Sequence, residues 1–180
     1  MTVAQGWKHS FPPAAEVAAD SLTAIAAVAR NGAIGDGADI PWRIPEDWKR
    51  FKAVTMGGVL LVGRKTHDGM GNLPGRSSIV VTRDESYEAP GAEVAHTIER
   101  ALELLEGHAG KRRWVVGGGE IYRLFWPYTT DLDITEVDQA PDVETRFPEI
   151  DPLDWAETSR TPRDGWAYVT FSRRPRVDEG

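Results

Sequence analysis

The sequence predicts a single-domain α/β fold, a mostly parallel central sheet with an antiparallel C-terminal edge strand and helices around it. Three observations carry that expectation. Short apolar runs alternate with segments of helical period, the order that crossover connections of a parallel sheet impose. The last strand-like segment alternates in Ala167, Val169 and Phe171, as an antiparallel strand with one face on the core does. No repeat or low-complexity linker divides the 180 residues, of which 41% are hydrophobic and 27% charged, so one sizeable core is available.

Residues 1–21 read as a mobile N-terminal extension, 22–173 as the folded domain and 174–180 as a C-terminal tail. In the extension, Lys8 and His9 precede Pro12-Pro13, and Glu16 and Asp20 interrupt the Ala-rich stretch, which is not the pattern of an export signal. Leu22 to Ala29 is almost entirely apolar. That composition suits a strand buried on both faces or a buried Ala-rich helix. The Gly-rich Asn31 to Gly37 that follows favours a strand running into a loop. From Pro45 to Met56 the period changes: Trp48, Phe51 and Val54 recur at helical spacing, and Pro45 suits the first helical position. Val59 to Val62, Ile79 to Thr82 and Trp114 to Val116 are strand cores. Between the last two lies a helix with Ile98, Ala101, Leu102 and Leu105 on one stripe, Thr97 as its N-cap and Gly107 as its stop. Leu132 to Val137 is another strand, and Trp155 to Arg160 with Trp166 to Ser172 makes the terminal antiparallel pair.

A formal net charge of -7 argues against nonspecific nucleic-acid binding. The absence of cysteine excludes disulfides, thiolate metal sites and cysteine nucleophiles, and no metal site is expected. No apolar run approaches the ~20 residues a membrane span needs. The expected location is the cytoplasm, and a monomer is the default.

The most informative stretch is Asp39-Ile40-Pro41-Trp42-Arg43-Ile44-Pro45-Glu46-Asp47, which opens the first helix. Acids in a first helical turn commonly oppose the macrodipole, and Glu46 fits that plain reading. Asp47 differs because it flanks the apolar stripe carrying Phe51, four residues on. A carboxylate there needs a partner, which the Thr135 hydroxyl of a later strand can supply. A lone acid beside an apolar pocket suits binding and protonation of a basic heterocycle. Arg76, after Leu73-Pro74-Gly75, could clamp a substrate carboxylate or simply be an exposed turn arginine.

Gly58-Val59-Leu60-Leu61-Val62-Gly63-Arg64-Lys65-Thr66 nearly matches a triphosphate-binding loop. Arg64 breaks the spacing, and the four residues between the glycines are strand-like, so their amides belong to a sheet. The triphosphatase reading is rejected. Gly63-Arg64-Lys65-Thr66 nevertheless puts amides and two cations at a strand-to-helix turn, and Arg83 follows the next strand at the same sheet edge. Singly these are surface charges; as a group they suit a phosphate, such as the one that distinguishes NADPH from NADH. Gly117-Gly118-Gly119 ends a strand before Glu120-Ile121-Tyr122 and lets backbone approach a ligand closely, although a sharp turn explains it equally well.

Together these residues resemble the dihydrofolate reductase family from about Leu22 to Ser172. The motifs that carry the resemblance are Asn31-Gly32-Ala33-Ile34-Gly35, Ile40-Pro41-Trp42, Pro45-Glu46-Asp47, Val62-Gly63-Arg64-Lys65-Thr66, Leu73-Pro74-Gly75-Arg76 and Val116-Gly117-Gly118-Gly119-Glu120-Ile121-Tyr122. The resemblance implies an eight-stranded sheet with about four helices, and NADPH-dependent reduction of 7,8-dihydrofolate. It implies a catalytic group of Asp47, Trp42 and Thr135. It implies a substrate pocket of Ile25, Ala26, Ala27, Trp48, Phe51, Met70, Leu73, Val116 and Tyr122, with Arg76 on the substrate carboxylate. For NADPH it implies Ala27, Ile34, Gly35, Ile40, Gly63, Arg64, Lys65, Thr66, Val81, Thr82, Arg83, Val116, Gly117, Gly118, Gly119, Glu120, Ile121 and Tyr122. The loop from Asn31 to Ile40 would be a mobile lid, the Gly117–Gly118 peptide would be cis, and antifolate-type molecules would bind. Three positions depart from the family pattern: Trp48 where smaller or polar side chains are usual, His67 where a large aromatic is, and Gly69 where a small hydroxyl residue is. The alternatives are the reductase of riboflavin biosynthesis and a folate- or NADPH-binding module without turnover.

Overall fold

The computed structural model describes residues 21–35 and 42–175. The elements in order are β1 (Leu22–Ala29), α1 (Pro45–Thr55), β2 (Val59–Gly63), α2 (Arg64–Met70), β3 (Ser77–Val81), β4 (Glu93–Ala95), α3 (Ile98–Glu106), β5 (Arg113–Val115), α4 (Gly119–Phe125), β6 (Asp131–Val137), β7 (Trp155–Pro162) and β8 (Trp166–Arg173). They build one eight-stranded sheet in the order β4-β3-β2-β5-β1-β6-β8-β7. Every pairing from β4 through β6 is parallel, and β8 is antiparallel to both its neighbours.

The rejected triphosphate loop is indeed strand: all five residues of β2 are buried, and their backbone pairs with β3 and β5. The antiparallel pair lies at one edge, but with its members exchanged. The C-terminal strand β8 is inside and β7 takes the edge. Burial explains the order. Tyr168 and Val169 of β8 are buried on opposite faces, whereas β7 is exposed at Glu157, Thr158, Arg160 and Pro162 and broken by a register shift between Glu157 and Ser159. Polar residues, proline and a bulge are tolerated where one side of a strand is unpaired. The residue pattern gave no sign of β4, whose three residues include only one that is buried.

Side-chain alternation along the strands makes two cores. Ala24, Val59, Leu61, Ile79, Val115, Leu132 and Ile134 face α3 and α4. Ile25, Leu60 and Trp114 face α1, with Val54. Helix α1 begins with Pro45 at its first position and Glu46 and Asp47 in its first turn, and Ile44 supplies no side-chain cap. In α3, Thr97 accepts a hydrogen bond from the Arg100 amide at 3.0 Å. Gly107 ends α3 with right-handed helical backbone, so its role there does not depend on being glycine. No helix among the described residues is long and apolar enough to cross a membrane.

Candidate active site

The first turns of helix α1 meet β6 through side chains. Thr135 Oγ1 donates to Asp47 Oδ1 at 2.5 Å, and Thr135 lies in register with Ala27 of β1. Burial pushes the Asp47 carboxyl above its ordinary value; the Thr135 hydrogen bond and the Arg50 charge oppose the rise and Asp133 adds to it. On one side lies an apolar cluster of Ile25, Val54, Leu60 and Trp114, against which Phe51, Met70, Leu73 and Val116 pack. Five residues expected to wall a pocket from distant parts of the sequence thus meet beside one carboxylate. On the other side, Trp42 is buried with Ala29, Ala33, Ile44 and Val137, and Ala27 packs against them.

Other expected pocket residues sit elsewhere. The Ala26 side chain packs into the core of the opposite face, because alternation along β1 turns it away from Ile25 and Ala27. Tyr122 also belongs to that face, where its hydroxyl donates to the Ile25 carbonyl at 2.6 Å, and burial raises its pKa far above the usual value. Trp48 stays 57% exposed, with the Arg43 guanidinium 6.0 Å from its ring. Arg76 folds back on its own turn, donating from Nε and Nη2 to the Pro74 carbonyl at 3.1 and 3.0 Å and from Nη1 to Thr55 Oγ1 at 3.3 Å.

The sequence reading missed the second contact of this seam. Arg50, one helical turn after Asp47, donates from Nη2 to Asp133 Oδ1 at 2.5 Å, with side-chain exposures of only 3% and 8%. The guanidinium also lies 4.6 Å from the centre of the Tyr168 ring. The only sequence signal was that Asp133 and Thr135 alternate on one face of β6 while Asp47 and Arg50 share one face of α1.

At the carboxyl edge of the parallel strands opens a cavity of about 880 Å³. Of the expected cofactor residues, Gly63, Arg64, Lys65, Thr66, Val81, Thr82, Arg83, Gly118, Gly119, Glu120 and Ile121 line it. Ala27, Ile34, Gly35, Val116, Gly117 and Tyr122 are not in that lining. Residues 36–41, with Ile40 and much of the expected lid, lie outside the described residues. At the described start of that loop, Ala33 bridges Arg146 and the Ile34 amide donates to the Thr145 carbonyl at 3.0 Å. The Gly117–Gly118 peptide is cis, and Gly117 has a φ of 108°, a conformation that favours glycine. A side chain at Gly119 would come within 2.9 Å of Thr145 Cγ2.

Sequence reasoning missed several lining residues, among them His96, Thr97, Arg123, Glu144, Thr145 and Arg146. Arg123 belongs to α4 and the others to the segments before α3 and after β6, which only the folded sheet brings to this edge. Arg83 pairs with Glu120 at 2.7 Å in the open, and Arg64 meets Asp84 at 3.3 Å. Arg146 Nη1 is buried and without a hydrogen-bond partner among the described residues.

A family model described as dihydrofolate reductase matches residues 21–171. The chain belongs to the dihydrofolate reductase family. Among similar members, a dihydrofolate reductase of Neisseria meningitidis is 44% identical over 160 residues, covering 84% of this chain and 98% of that protein. One from Haloferax volcanii is 38% identical over 166 residues, covering 87% and 86%. A solved dihydrofolate reductase from Enterococcus faecalis, complexed with NADP(H) and RAB-propyl, superposes with a TM-score of 0.74 at 32% identity, over 87% of this chain and 98% of that one.

As a dihydrofolate reductase family member the chain is an oxidoreductase, and two of its departures from the common pattern are now physical. Trp48 presents a largely exposed indole. His67 is buried, its Nε2 2.8 Å from Asn72 Oδ1 and its Nδ1 3.2 Å from the Tyr87 hydroxyl, which donates to Asp68 at 2.8 Å. The imidazole therefore joins α2 to the segment after β3 by polar contacts at a position the family usually gives to a large aromatic. Gly69 is exposed on α2.

Proposed function

We propose that this protein reduces 7,8-dihydrofolate to 5,6,7,8-tetrahydrofolate with NADPH, hydride going to C6 and a proton to N5 of the pterin. The observation that carries this reading is Asp47: a carboxylate pushed up by burial, braced by Thr135 and set beside an apolar cluster. The amino-pyrimidine edge of a pterin offers parallel N–H donors, which a carboxylate accepts as a fork. Ile25, Phe51, Leu73 and Val116 exclude water from the ring beside it, which strengthens that charge-assisted contact. Because its carboxyl is raised, Asp47 holds a proton closer to neutrality than a free aspartate and biases the bound pterin toward its protonated form. Trp42 closes the wall next to this group, and Arg76 holds the carboxylate of the substrate tail.

The residues at the sheet edge fit NADPH. The cavity joins the glycine turns to Arg64, Lys65 and Arg83, and the buried, unpaired Arg146 Nη1 is suited to an anionic oxygen. The Enterococcus faecalis relative, described with NADP(H), supports the same cofactor. When bound, NADPH supplies the hydride. Thr66 and the amides around Gly118 and Gly119 would hold its phosphates, and the loop from Asn31 to Ile40 would cover the nicotinamide and limit access of water. The same reading makes the protein a cytoplasmic monomer open to antifolate-type ligands.

The test is NADPH absorbance on mixing purified protein with NADPH and dihydrofolate, with Asp47→Asn alongside. Dihydrofolate-dependent oxidation that collapses in the variant is the expected result. Binding of both molecules without turnover would overturn it in favour of a binding module. Failure to bind dihydrofolate would point to the phosphorylated pyrimidine sugar of riboflavin synthesis.

A further inference from the structure

Two contacts tie α1 to β6 like rungs. The first is Asp47 to Thr135, and the second, one helical turn and two strand residues away, is Arg50 to Asp133. The second is buried at both ends, and a buried ion pair is a poor source of stability, since apolar residues of similar volume often do as well. Its position one turn from the reacting acid gives it another use. We propose that the Arg50–Asp133 pair is a positioning element that sets the charge state of Asp47 and holds it against Thr135. This rests on the reading of Asp47 as the group that manages the substrate proton.

The groups facing Asp47 decide the sign. Arg50 comes from its own helix, Asp133 and Thr135 from β6, and Tyr168 from β8; Glu46 of α1 acts on Tyr168, and Arg112 acts on Asp133 from the turn before β5. Arg50 favours the Asp47 carboxylate, and Asp133 opposes it more weakly. Asp133 is itself pushed up by burial and held down by Arg50 and Arg112. The pair therefore acts as a local dipole with its positive end dominating at Asp47. Removing Arg50 takes away part of the opposition to burial, leaving the Thr135 hydrogen bond, and Asp133 then takes up a proton. Removing the Asp133 charge takes away the influence that opposes Arg50 at Asp47. The two single changes have opposite signs, which a purely mechanical tie between α1 and β6 does not produce.

The experiment is a pH titration of the Asp47 carboxyl carbon by 13C NMR in the ligand-free protein, with Asp47→Asn to assign the signal. Arg50→Met should move the Asp47 midpoint up, and Asp133→Asn should move it down. The double variant Arg50→Met/Asp133→Asn removes both members of the pair and leaves neither stranded, so it keeps the test open if either single variant fails to fold, and its midpoint should move up. The pH profile of dihydrofolate reduction should shift in the same directions. A midpoint that stays put in the folded variants, or moves the same way in both singles, overturns the proposal whatever happens to Tm or kcat. The titration needs no turnover, so loss of the proposed function would show separately, as an Asp47→Asn variant that still reduces dihydrofolate at the wild-type rate.

Discussion

Arg83 meets Glu120 at 2.7 Å with side chains 86% and 58% exposed, while Arg50 meets Asp133 at 2.5 Å with 3% and 8%. The chemistry is the same and the solvent is opposite. At the sheet edge, water screens each charge, and an ion pair there can open for an incoming phosphate at little cost. In the α1–β6 seam water is largely excluded, so the charges of Arg50 and Asp133 are felt by Asp47. On the proposed function, the edge suits exchange of ligands and the seam suits holding one electrostatic arrangement.

The largest effect should come from the seam. Asp47→Asn is expected to lower dihydrofolate reduction at neutral pH by roughly 100- to 10,000-fold, the range of a lost proton-managing group. Wild-type activity should fall as pH rises through the raised Asp47 pKa, and the variant should lose that limb; stopped-flow rates across pH check both. The same change should raise Tm. An acid whose folded pKa lies above its unfolded one contributes stability that is complete below the unfolded value and lost as pH rises through the folded value. The melting curves of wild type and variant should therefore converge below about pH 4 and separate at neutral pH, with the variant higher.

On the edge, Arg146→Met should weaken NADPH about tenfold, near 1.4 kcal/mol, by titration calorimetry, with dihydrofolate affinity unchanged. An unchanged NADPH affinity would mean that its buried nitrogen serves only the fold. Thr135→Val should cost about 1 kcal/mol, or about 2–4 °C in Tm, and shift the activity profile upward in pH because a hydrogen bond that lowers the Asp47 pKa is gone. The smallest effect is Glu120→Gln, which should leave Tm unmoved and change NADPH affinity by no more than about twofold, as exposed pairs do. A large effect there would erase the distinction between the two regions.

The same contrast separates what was legible in the sequence. Asp47 and Thr135 could be matched because an acid on an apolar stripe demands a donor, and β2 could be told from a phosphate loop because four consecutive apolar residues belong in a sheet. Arg50 and Asp133 escaped because each looks like surface charge until its partner is known. Ala26 was assigned to the pocket with its neighbours, although period-two alternation alone turns it to the other face. His96, Arg123 and Arg146 were missed because each belongs to a different segment, Arg123 to α4 and the others to connections, and only the strand order brings those segments to one cavity.

The two rims of the sheet have a consequence for life at high concentration. One rim is β4, three residues long, and the other is β7, with its register shift, Arg160 and terminal Pro162. A template for runaway cross-chain pairing needs length, regularity and free amides, and each rim lacks at least one. Among the described residues, neither rim offers crowded copies of this protein a straight seam along which to zip together.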